Sequence, residues 1–289
     1  MKGVPGRCRP CTTFAAEVCL DLAIGIDVGF SASRRSTGVA IIDRATRQLA
    51  AGSSIVVDTA AGALTQLGAS LSRLKPARVI FCVDGPFAPA NLGGTARLVE
   101  RFFMSGPFAS AAVPRLRLSP APTGLNSAFL GQTLDVLARL RALGYTPSVF
   151  TGSTLIGDAL EIFPTIFMAS LLGPHAYIGT RNRHTDDLWE RLTLPSVHAF
   201  FQPYEPVVAA VAAQPRLAQH DARMAALCAI AADVTASNPV GAGQAAATFI
   251  GEPSEHGFIM PSRASMNPQF LAMLSNHWKA RGGAPLCWA

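Results

Sequence analysis

The stretch AIGIDVGFSASRRSTGVAIID, residues 23–43, contains two apolar runs and a single acid in the first of them. Two apolar runs flank a polar loop of Gly, Ser and Arg, which is the spacing of two strands joined as a hairpin. Asp27 is the only acid inside the first run. A carboxylate there either caps the following turn or faces a site that holds metal or phosphate. The stretch alone leaves both interpretations open.

Composition predicts a well-packed protein without membrane segments. The 289 residues are 49% hydrophobic and 15% charged, with a mean hydropathy of +0.30, which supports a large core and excludes extended disorder. No apolar run approaches the roughly 20 residues that cross a bilayer. Glu17 and Asp21 interrupt the segment where a signal peptide would be apolar. We therefore expect a cytoplasmic protein with no membrane partner.

The charge balance favours an anionic partner. The net charge is +6, and all but three of the 24 basic residues are arginine, whose guanidinium suits phosphate. A GC-rich coding bias explains the arginine excess equally well, so the charge supports a nucleic-acid partner only weakly. The Cys8/Cys11 pair lacks the second ligand pair of a zinc site.

The remaining pattern alternates strands and helices, which indicates an α/β fold. We expect an irregular arm over 1–20, one domain over 21–260 with insertions near 85–125 and 174–216, and a tail over 261–289. The predicted elements are a third strand ending at Asp58, a helix over 61–74, a strand over 77–86, a helix over 93–106, a helix over 127–143, a strand over 158–164 followed by a helix, a helix over 219–236 and a closing hairpin over 247–262.

Four acids occupy unusual places in these elements. Asp84 ends an apolar strand, Glu161 lies inside the next, and Asp221 opens the late helix. The carboxyl ends of parallel strands form one edge of a sheet, so these acids and Asp27 are expected to converge there. Such a cluster requires cations, and oxygen ligands select Mg²⁺ or Mn²⁺, with two ions as in phosphodiester hydrolysis. Taken singly, Asp84 could start a turn and Asp221 could face the helix dipole.

The motifs GIDVGF, VDGPFAPAN, RLVERFFMSG, ALEIFPT and HDARMAAL occur in this order over residues 22–260. Together they resemble a family of predicted nucleases, domain of unknown function 429, within the ribonuclease H-like superfamily. The resemblance implies a mixed five-stranded sheet of order 3-2-1-4-5, with the second strand antiparallel and helices on both faces. It also implies metal-dependent nuclease chemistry, with Asp27, Asp84, Glu161 and Asp221 as metal ligands and His220 beside them.

Several basic residues are secondary candidates. Arg97 and Arg101 share a helix face with Glu100, either as a surface ion pair or as a helix that closes over phosphate. Arg181 and Arg183 lie in a polar segment that is either a solvated loop or a contact to the scissile strand. His220 either neighbours a helix cap or carries protons.

Two other functional classes compete with a nuclease. An actin-like nucleotide-binding ATPase or kinase also begins with a strand, an Asp-x-Gly and a Ser/Thr-rich hairpin, but Pro86 removes a backbone donor that a second phosphate loop would need. A non-catalytic binding module would keep the fold without the chemistry, which four intact acids argue against.

Overall fold

The computed structural model describes most of the chain from residue 20 onward. The described residues are 20–88, 97–103, 105–110, 127–151, 154–173, 184–193, 199–238, 240, 244–252, 256–281 and 287–288. The predicted arm over residues 1–20 thus lies, but for its last residue, outside them. No helix within these ranges is long and apolar enough to cross a membrane.

Strands and helices alternate along the described chain, which confirms the predicted α/β class. The strands are β1 (Asp21–Asp27), β2 (Thr37–Asp43), β3 (Gln48–Leu49), β4 (Val56–Asp58), β5 (Arg78–Asp84), β6 (Val149–Thr151), β7 (Thr154–Ile156), β8 (Ala159–Ile162), β9 (Ala247–Glu252), β10 (His256–Ser262) and β11 (Cys287–Trp288). The helices are α1 (Ala60–Leu74), α2 (Leu98–Phe103), α3 (Pro107–Ser110), α4 (Ser127–Ala142), α5 (Pro164–Leu172), α6 (His184–Thr193), α7 (Glu205–Ala212), α8 (Gln219–Ser237) and α9 (Pro268–Ala280).

One mixed sheet organises the described residues. Its strand order is β11-β9-β10-β8-β5-β1-β2-β3, and β4 also pairs with β2. Strands β1, β5, β8 and β10 are mutually parallel, whereas β2 and β9 run antiparallel to their neighbours. The sheet is wider than the predicted five strands because the hairpin over 247–262 pairs with β8 and continues the sheet on that side.

The two faces of the sheet are covered by different helices. Helix α8 packs across one face, where Ala23, Cys82 and Leu160 join its apolar residues in one buried cluster. Helices α1 and α4 cover the other face, over Ile24 and Phe81. Successive strand residues alternate between these faces, as the two-residue period of a strand requires.

Two strand glycines allow α8 to lie unusually close to the sheet. A Cβ atom at Gly25 would lie 2.0 Å from the Ala225 carbonyl oxygen and 2.2 Å from the Ala229 nitrogen. A Cβ at Gly38 would lie 2.5 Å from the Asp221 carbonyl oxygen. These are backbone atoms, so a side chain at either position would push the helix away. The close approach brings the first turn of α8 to the ends of β1 and β2.

The predicted tail over 261–289 differs from expectation because it contains α9. Phe270 and Leu274 of this helix are buried against Val99 and Phe102 of α2. Asn267 caps the helix by accepting from the backbone N–H groups of Gln269 and Phe270. The apolar residues of α9 thus enclose a third hydrophobic cluster together with the helix that the sequence places in the first insertion.

Candidate functional site

Asp27 and Asp84 form the centre of the site. They are the last residues of the adjacent parallel strands β1 and β5 and lie side by side in the sheet register. Register partners project to the same face, here the face that α8 covers. An interaction between their carboxyl groups is one of the causes that shift the pKa of each. Two acids predicted from separate motifs are thus neighbours.

Burial makes the charge of this pair costly. Burial, followed by the negative charges of Asp84 and Asp221, raises the pKa of Asp27 well above its ordinary value. The pKa of Asp84 is raised to about 7, mainly by burial, while the nearby His220 opposes the rise. Oδ1 of Asp84 is buried and has no hydrogen-bond partner among the residues that the structure describes. The pair therefore favours a proton or a cation between its oxygens.

The first turn of α8 adds Asp221 and His220 to the same cavity. Burial raises the pKa of Asp221. His220 is held by α6, since its Nδ1 lies 3.2 Å from Oδ1 of Asp186. This hydrogen bond is the main reason that the pKa of His220 is raised, and the charges of Asp186, Asp221 and Asp84 add to it. Arg223 holds the same Asp186 oxygen at 2.9 Å, which fixes α6 against α8.

An open cavity of about 650 Å³ joins these groups. The loop between β1 and β2 forms one wall with Gly29, Phe30, Ser31, Arg34 and Ser36. Phe129, Phe163 and Met224 supply apolar surface. The cavity thus combines acids at its floor with a basic residue and aromatic rings in its wall.

Glu161 does not join the acids that line the cavity. It pairs in register with Val83, one residue before Asp84, so it projects to the opposite face of the sheet. There both terminal nitrogens of Arg97 donate to its carboxylate, and the Phe87 backbone N–H donates to Oε2 at 3.2 Å. Predicted as a metal ligand, Glu161 instead makes a buried ion pair beneath the turn that follows Asp84.

Arg97, which the sequence predicts to bind phosphate, is buried together with the acids that it pairs with, Glu100 and Glu161. Arg97 is 1% exposed and Glu100 is fully buried, with Arg97 Nε 2.9 Å from Glu100 Oε1. The guanidinium also lies over the Phe258 ring at 5.5 Å. Both expectations for this pair, a surface ion pair and a phosphate clamp, require exposure and are wrong. Arg101 is exposed on the same helix.

Arg181 and Arg183 fall outside the described residues. The sequence reasoning missed three contributors to the site: Phe30 and Arg34 in the cavity wall, and Asp186, which orients His220. Phe30 had a visible signal, because it is a large apolar residue in a loop otherwise made of Gly, Ser, Ala and Arg. Asp186 had none, since its contact joins residues 34 positions apart.

Comparison of the chain with models of known families, with curated proteins and with solved structures finds no match. Within the described ranges, no three His, Cys, Asp or Glu side chains form a group that could hold a metal ion.

Proposed function

We propose that this protein is a divalent-metal-dependent phosphodiester hydrolase that acts on nucleic acid. The observation that carries the proposal is the pair Asp27 and Asp84, a buried and a half-buried acid that lie side by side at the floor of an open cavity. Two adjacent acids serve no evident packing purpose, because their repulsion and burial oppose folding. They are useful where a cation or a proton is held between them.

The donor set fits Mg²⁺ or Mn²⁺. Asp27 and Asp84 offer only oxygen atoms, the ligands that hard cations prefer, and Oδ1 of Asp84 has no hydrogen-bond partner in the described part of the chain. Mg²⁺ commonly binds one or two carboxylates and completes its shell with water and substrate phosphate. Asp27 and Asp84 would hold the ion, and Asp221 would serve a second one. A bound ion of this kind supplies Lewis-acid stabilisation to a phosphoryl group.

The surrounding residues have separate tasks in this proposal. Arg34 forms no ion pair within the described part of the chain, so its guanidinium is available to a substrate phosphate. His220, kept protonated more readily by Asp186, would donate a proton to a leaving oxygen at the rim of the cavity. Glu161 and Arg97 would position the turn after Asp84 through the Phe87 N–H.

The ribonuclease H-like resemblance supports the same function. An antiparallel second strand, acids at the ends of the first and fourth predicted strands, and a further acid on the helix that crosses them agree with what it implies. Glu161 departs from it by facing the other side of the sheet. The proposal therefore assigns the ligand role to Asp27, Asp84 and Asp221 alone.

A cleavage assay with matched variants tests the proposal. The purified chain is incubated with Mg²⁺ or Mn²⁺ and labelled single-stranded, duplex, hybrid and junction substrates, and in parallel with ATP. Asp84→Asn should abolish cleavage. The control Asp135→Asn, on the exposed side of α4 in an ion pair with Arg139, should retain it. Metal-independent cleavage, full activity of Asp84→Asn, or ATP hydrolysis without strand cleavage would refute the assignment.

A further inference from the structure

Phe30 is an exposed aromatic ring with a rigid support. It is 57% exposed, and it is the only exposed Phe, Tyr or Trp among the residues whose side-chain burial the structure describes. Phe129 of α4, itself 2% exposed, stacks against it with ring centroids 4.4 Å apart and an angle of 22° between the ring planes. Because Phe129 covers one face of the Phe30 ring, the exposed surface is largely the opposite face. The Phe30 ring is thus a flat apolar platform that is supported on one face by Phe129 and open to solvent on the other.

The base of the loop that carries Phe30 is held in place. The Gly29 backbone N–H donates to Thr37 Oγ1 at 3.2 Å, across the start of the hairpin. A Cβ atom at Gly29 would lie 2.2 Å from Ser36 Oγ, so the two ends of the loop touch. Phe30 therefore extends from a closed hairpin base, three residues after Asp27.

The neighbours of this platform identify the kind of ligand it fits. Phe30, Asp27, Asp84 and Arg34 all line the same cavity. An exposed apolar ring alone would suit many partners, but a ring beside a basic residue and a pair of cation-binding acids matches a ligand with a flat base and a phosphate. Bases stack on aromatic rings whatever their sequence, because each base has a π-face.

We propose that Phe30 stacks against an unpaired nucleobase next to the phosphodiester that the acids act on. This inference rests on the proposed function and narrows its substrate to single-stranded nucleic acid, or to strands with an unpaired base. In a duplex both faces of a base are covered by its neighbours, so a paired base must leave the stack to reach Phe30.

Binding without cleavage tests this subsite. Fluorescence anisotropy in EDTA, and again with Ca²⁺, compares a labelled oligothymidylate with an abasic strand of the same length and with the matching duplex. The wild-type protein should bind the oligothymidylate most tightly. Phe30→Ala should weaken that binding by about 5- to 150-fold, the range of one base stack, and should leave binding of the abasic strand unchanged.

Matched variants separate stacking from loss of structure. Phe30→Leu keeps apolar contact with Phe129 but has no flat ring, so it should bind like Phe30→Ala. Phe30→Trp should bind the oligothymidylate as the wild type does, because it keeps a flat ring. The fluorescence of the introduced indole should be quenched by the oligothymidylate and not by the abasic strand. Leu143→Ala removes another exposed apolar side chain just past the end of α4, roughly 20 Å along the helix from Phe129, and should bind like wild type.

The outcomes distinguish this inference from the proposed function. Equal binding of the oligothymidylate and the abasic strand, or an unchanged preference in Phe30→Ala, would overturn the subsite even if the protein cleaves nucleic acid. Preferred binding of the duplex would also overturn it. Base-dependent binding that requires Phe30, in a protein that cleaves none of the substrates, would support the subsite and refute the hydrolase.

Discussion

Replacing Asp84 with Asn should stabilise the metal-free protein, and the gain should grow with pH. Burial raises the pKa of Asp84 from its ordinary 3.8 to about 7, so the folded protein holds a proton that the unfolded chain releases between these values. The stability of the wild type therefore falls as pH rises through this window, and the full cost is present above about pH 7. Asn has a similar shape and no charge, so it removes this cost.

The size of the effect follows from the pKa of Asp84. A tenfold change in an ionisation constant corresponds to about 1.4 kcal/mol, so a rise from 3.8 to about 7 corresponds to about 4 kcal/mol above pH 7. At pH 5 only the range from pH 3.8 to pH 5 contributes, so the cost of the Asp84 charge is about 2 kcal/mol there. At roughly 2 °C per kcal/mol for a chain of this size, Asp84→Asn should melt roughly 8 °C higher than wild type at pH 8 and roughly 4 °C higher at pH 5.

Thermal melts in EDTA at the two pH values measure this difference. Asp135→Asn, an exposed change of the same type, should stay within about 0.5 kcal/mol of wild type at both. Added Mg²⁺ should raise the melting temperature of the wild type and not that of Asp84→Asn, because only the wild type keeps both carboxylates. A destabilised Asp84→Asn protein, or a gain that does not change with pH, would refute the reasoning.

Three further predictions concern the supports of the site. Arg97→Met should lower the free energy of unfolding in urea by about 3–5 kcal/mol, because it leaves two buried carboxylates unpaired. Glu161→Gln should lower it by about 1 kcal/mol or less, because Arg97 keeps Glu100 as a partner, and equal losses in the two variants would contradict this. Gly25→Ala should lower the free energy of unfolding by about 3 kcal/mol, because the added methyl group displaces α8. Gly131→Ala, in open space on α4, should raise it by up to about 1 kcal/mol. An unchanged stability of Gly25→Ala would contradict this. Asp221→Asn should not lower the melting temperature in EDTA, since burial opposes the charge of Asp221. It should reduce the rise in melting temperature that Mg²⁺ causes in the wild type. A loss of about 0.3–1 kcal/mol of stability with an unchanged Mg²⁺ titration would instead indicate that Asp221 interacts with the helix dipole.

Local patterns in the sequence were enough to predict the framework. Apolar runs gave β1, β2, β5 and β8, and apolar positions at helical spacing gave α1, α4 and α8. These elements are specified by residues close together in the chain, so their periodicity is visible without a fold. The same patterns predicted that Asp27, Asp84 and Asp221 belong together, because acids at strand ends and at the start of a helix stand out from apolar surroundings.

Only the tertiary structure decided which side of the sheet each acid faces. Asp84 and Glu161 lie on adjacent parallel strands, but the register pairs Glu161 with Val83, and a difference of one residue reverses the face. Arg97 lies 64 positions from Glu161, and Phe30 lies 99 positions from Phe129, so neither contact leaves a local signal. Register and long-range contacts depend on how all the elements pack together, and for that reason the sequence predicted the acids while the structure determined their partners.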